Sequence, residues 1–178
     1  MVTTNIATPT LQVGATGSAV RNLQELLLRR VGVGGLTVDG DFGQITELAV
    51  RVFQMRNFLA DDGIVGPQTW QVLLNGGVGH LPLLRRGDRG ALVERLQRVL
   101  AWGTDPANTL DEIASLTPGY YFGQIDGDFG PMTETAVKAF QQTPPLNRQP
   151  LTPVDGIVGP QTWTVLTELV ARVTHIGL

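Results

Sequence analysis

The sequence predicts an all-α protein made of two tandem three-helix bundles joined by a short glycine-rich linker. Three observations carry that prediction. A long, ordered set of residues occurs twice along the chain, and apolar residues recur at helical spacing within each occurrence. No stretch sustains the period-two alternation of a half-buried strand.

The duplication is literal in places. Asp62-Gly-Ile-Val-Gly-Pro-Gln-Thr-Trp70 returns letter for letter as Asp155-Gly-Ile-Val-Gly-Pro-Gln-Thr-Trp163, and Asp39-Gly-Asp-Phe-Gly43 returns as Asp126-Gly-Asp-Phe-Gly130. Thr46, Glu47, Ala49, Val50, Phe53 and Gln54 match Thr133, Glu134, Ala136, Val137, Phe140 and Gln141. Upstream, Gly17, Val20, Leu23, Gln24 and Leu27 match Gly90, Val93, Leu96, Gln97 and Leu100. The offset between copies steps from 73 to 87 to 93, so the second copy carries 14 extra residues between Leu100 and Ile125 and 6 more between Gln141 and Asp155. Insertions settle in loops, and the steps divide each copy into three rigid segments.

The first segment of each copy keeps the i, i+3, i+7 spacing of one apolar helix face: Val20, Leu23, Leu27 and Val93, Leu96, Leu100. The second follows Gly43 or Gly130 and aligns Ile45, Ala49, Val52 and Phe53, or Ala136, Ala139 and Phe140. The third opens on Pro67 and runs to about Leu74, or opens on Pro160. Proline suits a first helical position, where its missing N–H has no intrahelical partner. Asp-Gly pairs separate the segments as turns, since glycine accepts positive φ and aspartate bonds to nearby backbone. The domains are expected at 11–74 and 83–170, with insertions near 103–119 and 142–153 and with Asn75-Gly-Gly-Val-Gly79 as linker. Thr109-Leu-Asp-Glu112 has a capping-box pattern that predicts a short added helix. Pro144, Pro145, Pro150 and Pro153 predict an extended, stiff loop.

Composition narrows the function. A hydrophobic share of 42% and a charged share of 16% suit a globular chain. A net charge of -3 with only short basic clusters gives no footprint for nucleic acid. No apolar run reaches membrane-spanning length, so no membrane insertion is expected. Met1 to Gln12 has neither the basic nor the apolar region of a secretory signal peptide, which keeps cytoplasmic or non-classically exported locations open. Cysteine is absent, and with it disulfides, thiolate ligands and cysteine nucleophiles. His80 and His175 fall one per copy, outside any His-Glu-x-x-His pattern, and are read as solvated. Ser18 and Ser115 sit in neither Ser-x-x-Lys nor Gly-x-Ser-x-Gly. The sequence therefore predicts no enzyme, no metal site and no cofactor.

The motifs resemble those of the peptidoglycan-binding domain found beside bacterial and phage cell-wall hydrolases. A leucine-rich helix after Gly14-Ala-Thr-Gly17 or Gly87-Asp-Arg-Gly90 precedes Asp-Gly-x-Phe-Gly-x-x-Thr, then Phe-Gln, then Asp-Gly-x-Val-Gly-Pro-x-Thr-Trp. The resemblance covers nearly the whole chain apart from termini, linker and insertions. It implies a compact three-helix fold that binds cell-wall glycopeptide or its stem peptide at the envelope, periplasm or cell exterior, with a hydrolase or envelope protein as companion. The alternative is a protein–protein adaptor that reuses the fold within a larger assembly.

Within that frame, Phe42, Phe53, Trp70, Phe129, Phe140 and Trp163 are expected to fill the cores. The candidate ligand-binding residues are Asp39, Asp62, Thr46 and Gln54, with Asp126, Asp155, Thr133 and Gln141 in the second copy. Carboxylates and hydroxyls on two loops offer a polar rim to amides or sugar hydroxyls, although the aspartates equally serve as turn formers. The glutamines, together with Gln24 and Gln97, either line a groove or bridge helices. Glu47 and Glu134 are placed as favourable charges in a first helical turn. Asp39-Gly-Asp41 lacks the spacing and terminal glutamate of a calcium loop.

Overall fold

The structure, a computed structural model, describes residues 8–102, 119–145 and 148–176. Among these residues the chain is all-helical: α1 Ser18–Arg30, α2 Gln44–Arg56, α3 Pro67–Asn75, α4 Ala91–Ala101, α5 Pro131–Gln142 and α6 Pro160–Ile176. It divides into two compact units, one up to Gly77 and one of Val78–His175. The short helix expected after Thr109–Glu112 lies outside the described residues.

Helix starts follow from backbone chemistry more than from side-chain caps. Gly17, Gly43, Gly66, Gly90 and Gly130 precede the first five helices, and none of these caps makes a side-chain hydrogen bond. Prolines open α3 and α5. Glu47 and Glu134 sit in the first turns of α2 and α5, near the positive end of the helix dipole, and each pairs four residues on, with Arg51 and Lys138.

In the first unit Val20, Leu23 and Leu27 meet Ala49, Val50, Phe53, Trp70 and Leu73, with Leu11, Phe42 and Val65 closing the cluster. Burial of each such aliphatic side chain contributes on the order of 1.5–3 kcal/mol. In the second unit Val93, Leu96, Leu100, Ala136, Val137, Phe140, Trp163 and Leu166 are buried likewise. All six aromatics expected in the cores are there; Trp70 and Trp163 are 1% and 0% exposed. Ile45 corrects the expected α2 face. It is 45% exposed, and Val50 takes the inward place, because the core lies on the Ala49–Val50–Phe53 side of the helix. The third helix of the second unit continues past Val170 to Ile176, carried by the buried pair Leu169 and Val170 and by Val173. No described helix is long and apolar enough to cross a membrane.

An extended lead-in holds the turns of each unit. Leu11 pairs with Val65 and Thr16 with Asp41; in the second unit Leu84 pairs with Val158 and Arg89 with Asp128. Thr16 lies five positions after Leu11, at most about 18 Å of chain, so one short lead-in ties both Asp-Gly turns of its unit.

Candidate functional site

Four Asp-Gly turns form the polar features of the two units, and each is clamped by one buried glutamine. Gln24 on α1 accepts from Gly40 N–H through Oε1 at 2.9 Å, and its Nε2 donates to Asp39 Oδ1 at 2.7 Å and to Asp41 O and Thr46 Oγ1 at 3.1 Å. Gln54 on α2 repeats this with Gly63 N–H, Asp62 Oδ1 and Ile64 O at 2.9 Å and Thr69 Oγ1 at 3.3 Å. Gln97 holds Gly127, Asp126, Asp128 O and Thr133, and Gln141 holds Gly156, Asp155, Ile157 O and Thr162. The amide orientation is forced, because a backbone N–H can only face the carbonyl oxygen.

Each aspartate does a second job within its turn. Its Oδ1 accepts the backbone N–H two residues on: Asp41, Ile64, Asp128 and Ile157, at 2.8–2.9 Å. The glycine between takes φ of 70–83°, which side-chain-bearing residues rarely adopt. At Gly127 a Cβ would also stand 3.2 Å from Gly90 O.

These bonds set the electrostatics. Asp39 is lowered to a pKa of about 2, chiefly by the Asp41 N–H and then by Gln24 and Thr37. Asp126 is lowered by the Asp128 N–H first, then Gln97, with Arg89 adding to the effect. Glu134 is lowered mainly by its bond from Lys138. Burial raises the Tyr121 hydroxyl, which accepts from Gln97 Nε2 at 3.2 Å.

The candidate residues thus separate by depth. Asp39, Asp62, Asp126 and Asp155 are exposed, each with one carboxylate oxygen turned to the clamp. Thr46, Thr133, Gln54 and Gln141, expected at the rim, are buried beneath it with their polar atoms bonded inside the unit. Of the two roles open to the glutamines, all four take the bridging one, and Gln141 also borders a hollow of the second unit. Their partners Thr69 and Thr162 were not singled out by the sequence reading. The signal was present: a Gln followed by Asp-Gly-x-Phe/Val-Gly-x-x-Thr occurs four times, so each copy is itself built from two like halves. His80 is half-buried, short of the solvated position expected. Among the described residues no group of three His, Asp or Glu side chains converges as metal ligands do.

Hollows lie among the described residues of the second unit. One, of about 540 Å³, runs between the proline-containing loop before Asp155 and the start of α6. Another, of about 250 Å³, is flanked by Tyr120, Met132 and Phe122, and Phe122 is 76% exposed. The tyrosine hydroxyls beside it are turned inward, Tyr120 to Thr143 O and Tyr121 to Gln124 O.

Comparison with known proteins gives a consistent set of relatives. The family described as "Putative peptidoglycan binding domain" matches residues 16–73 and 117–166. The chain is 47% identical over 62 residues to the zinc D-Ala-D-Ala carboxypeptidase of Streptomyces albus G, covering 34% of this chain and 24% of that protein. It is 30% identical over 169 residues to the N-acetylmuramoyl-L-alanine amidase CwlL of Bacillus licheniformis, covering 89% of this chain and 45% of that protein. Among solved structures, the SleB N-terminal domain is 38% identical, with 38% of this chain and 92% of that chain covered and a TM-score of 0.36. The chain spans less than half the length of these two curated relatives.

Proposed function

The chain belongs to the peptidoglycan-binding domain family, and from that membership we propose that it binds cell-wall peptidoglycan without catalysis, attaching itself or a companion hydrolase to the wall. The observation that carries this reading is the fourfold clamp. In each unit two exposed carboxylates, each on its own Asp-Gly turn, are held in fixed geometry by a buried glutamine on an otherwise helical body. Asp39 and Asp62 form one rim, and Asp126 and Asp155 the other. A rim of fixed carboxylate oxygens accepts amide N–H, hydroxyl or ammonium donors, all of which a glycopeptide offers. Thr46, Gln54, Thr133 and Gln141 act from below as positioning residues. The matched segments make up only 24% and 45% of the two relatives, so the activities those proteins are named for belong to longer chains.

Two weak sites on one chain add by linkage. Where both reach the same polymer, attachment tightens by on the order of 100-fold or more with no new contact. The test is sedimentation of the full chain with washed sacculi against a chitin control. Asp39→Asn with Asp62→Asn, and Asp126→Asn with Asp155→Asn, keep the turn acceptor but remove rim charge. Each pair is expected to weaken retention, and the quadruple variant to abolish most of it while melting near the parent. A parent chain that stays in the supernatant with sacculi of several chemistries refutes wall binding and leaves the adaptor reading.

A further inference from the structure

We propose that the second unit carries a groove of its own that takes a primary alkylammonium, as borne by a diamino-acid side chain of a stem peptide. The inference rests on the wall-binding reading and adds a ligand class to one of its rims. Thirteen residues separate Gln141 from Asp155, against seven between Gln54 and Asp62, and the surplus builds one wall of the 540 Å³ hollow. Leu151, Thr152 and Pro153 supply that wall, and Leu151 N–H anchors it to Gln141 O at 2.7 Å. Leu83, 63% exposed, supplies the facing wall.

The first unit is built otherwise at the same place. The counterpart of Leu83 at the offset of 73 is the polar Thr10. A Cβ added at Gly159 would stand 3.3 Å from Leu83 Cδ2, whereas one added at Gly66 meets nothing within 4 Å. Leucine is therefore folded over the base of α6 and nothing is folded over the base of α3.

The chemistry of the lining selects the ligand. Its walls are aliphatic and prolyl, it holds no cation, and its one charge is Asp155. Asp155 Oδ1 is taken by Gln141 Nε2 at 3.1 Å and Ile157 N–H at 2.8 Å, while Oδ2 accepts no bond among the described residues. A ligand that satisfies both features brings a methylene stem for the walls and a cationic donor for Oδ2. Sugars bring donors without the stem, and carboxylates are repelled.

The experiment is an amide NMR titration of the full chain with Nα-acetyl-L-lysyl-D-alanyl-D-alanine. Shifts are expected at Leu83, Ile157 and Gln161 and not at Ile64 or Gln68. The Nε-acetylated probe is expected to bind about tenfold more weakly or worse, the loss of a charge-assisted hydrogen bond. Asp155→Asn is expected to lose a similar factor, and Gly159→Leu, which fills the groove, to lose binding, while Gly66→Leu has no effect. If Asp155→Asn melts early, Gly159→Leu and the acetylated probe decide. Unmoved groove resonances, equal binding of the acetylated probe, or equal shifts in both units overturn the proposal. Sacculus retention by the parent, measured alongside, separates the readings. Retention without probe binding refutes only the groove, and loss of both refutes wall binding.

Discussion

Replacing Gln24 by methionine tests whether the glutamine clamps hold the turns. Methionine nearly matches the volume, so no cavity opens and the effect isolates the amide. Two losses follow from the geometry. The buried Gly40 N–H loses its acceptor at 2.9 Å, which costs about 1–3 kcal/mol for an unsatisfied buried donor. The buried bond to Thr46 Oγ1 at 3.1 Å also disappears, at a net cost of about 1 kcal/mol. A total of about 2–4 kcal/mol is a large part of what a unit of this size holds, roughly 3–10 kcal/mol at 0.05–0.15 kcal/mol per residue. Near 3 kcal/mol, the melting point of the first unit is expected to fall by about 12–24 °C in calorimetry. Asp39 supplies an independent reading. Its carboxyl resonance is expected to titrate at about 2 in the parent and to move part of the way back in the variant, because the Asp41 N–H, the larger influence, remains. A variant that melts within about 3 °C of the parent, with Asp39 still near 2, refutes the reasoning.

The remaining predictions rest on equally specific contacts. Trp70→Ala and Trp163→Ala are each expected to destabilise their unit by about 3–5 kcal/mol, since both rings are fully buried and both indole N–H groups donate to a lead-in carbonyl, Pro9 O and Pro82 O; denaturant melts that match the parent with loss of sacculus retention would assign the rings to the site instead. Acid is expected to destabilise the chain in a defined window. Asp39, Asp126 and Glu134 are lowered in the folded state, so their contribution is whole above the ordinary carboxylate range, declines below about pH 4, and for Asp39 is lost only near and below pH 2. Melting points flat from pH 6 to pH 2, or rising, contradict the assignment. Asp39→Asn is expected to shallow the acid slope without altering the plateau's shape.

Much of this fold is legible in the letters because each of its devices is local. The Val20–Leu23–Leu27 stripe, the prolines that open α3 and α6, and the Asp-Gly turns each announce themselves within a few residues. Ile45 was misplaced because two faces of α2 carry apolar residues, and only the position of α1 and α3 decides which one is covered. The site was legible in composition and not in depth. The polar residues repeated in both copies include four exposed aspartates and the buried glutamines and threonines that hold them, and spacing alone does not distinguish a group that meets a ligand from one that meets Gly40 N–H. Leu83 and the wall of Leu151, Thr152 and Pro153 were invisible as a pair, since one precedes the second bundle and the other lies late within it.

The clamp also explains how the two copies diverge without losing their turns. The sequence separation from glutamine to aspartate is 15, 8, 29 and 14 residues across the four turns, yet the Nε2–Oδ1 distance stays between 2.7 and 3.1 Å. Loop closure from 8 to 29 residues costs only about 1 kcal/mol by the logarithmic dependence on length. One satisfied buried Gly N–H, worth about 1–3 kcal/mol if left open, offsets that. Loop length is thereby uncoupled from turn geometry. An insertion can raise a wall beside a carboxylate without moving the carboxylate, as Leu151 and Pro153 do beside Asp155. The clamps fix where the charge stands, and the segments between them are free to decide what fits against it.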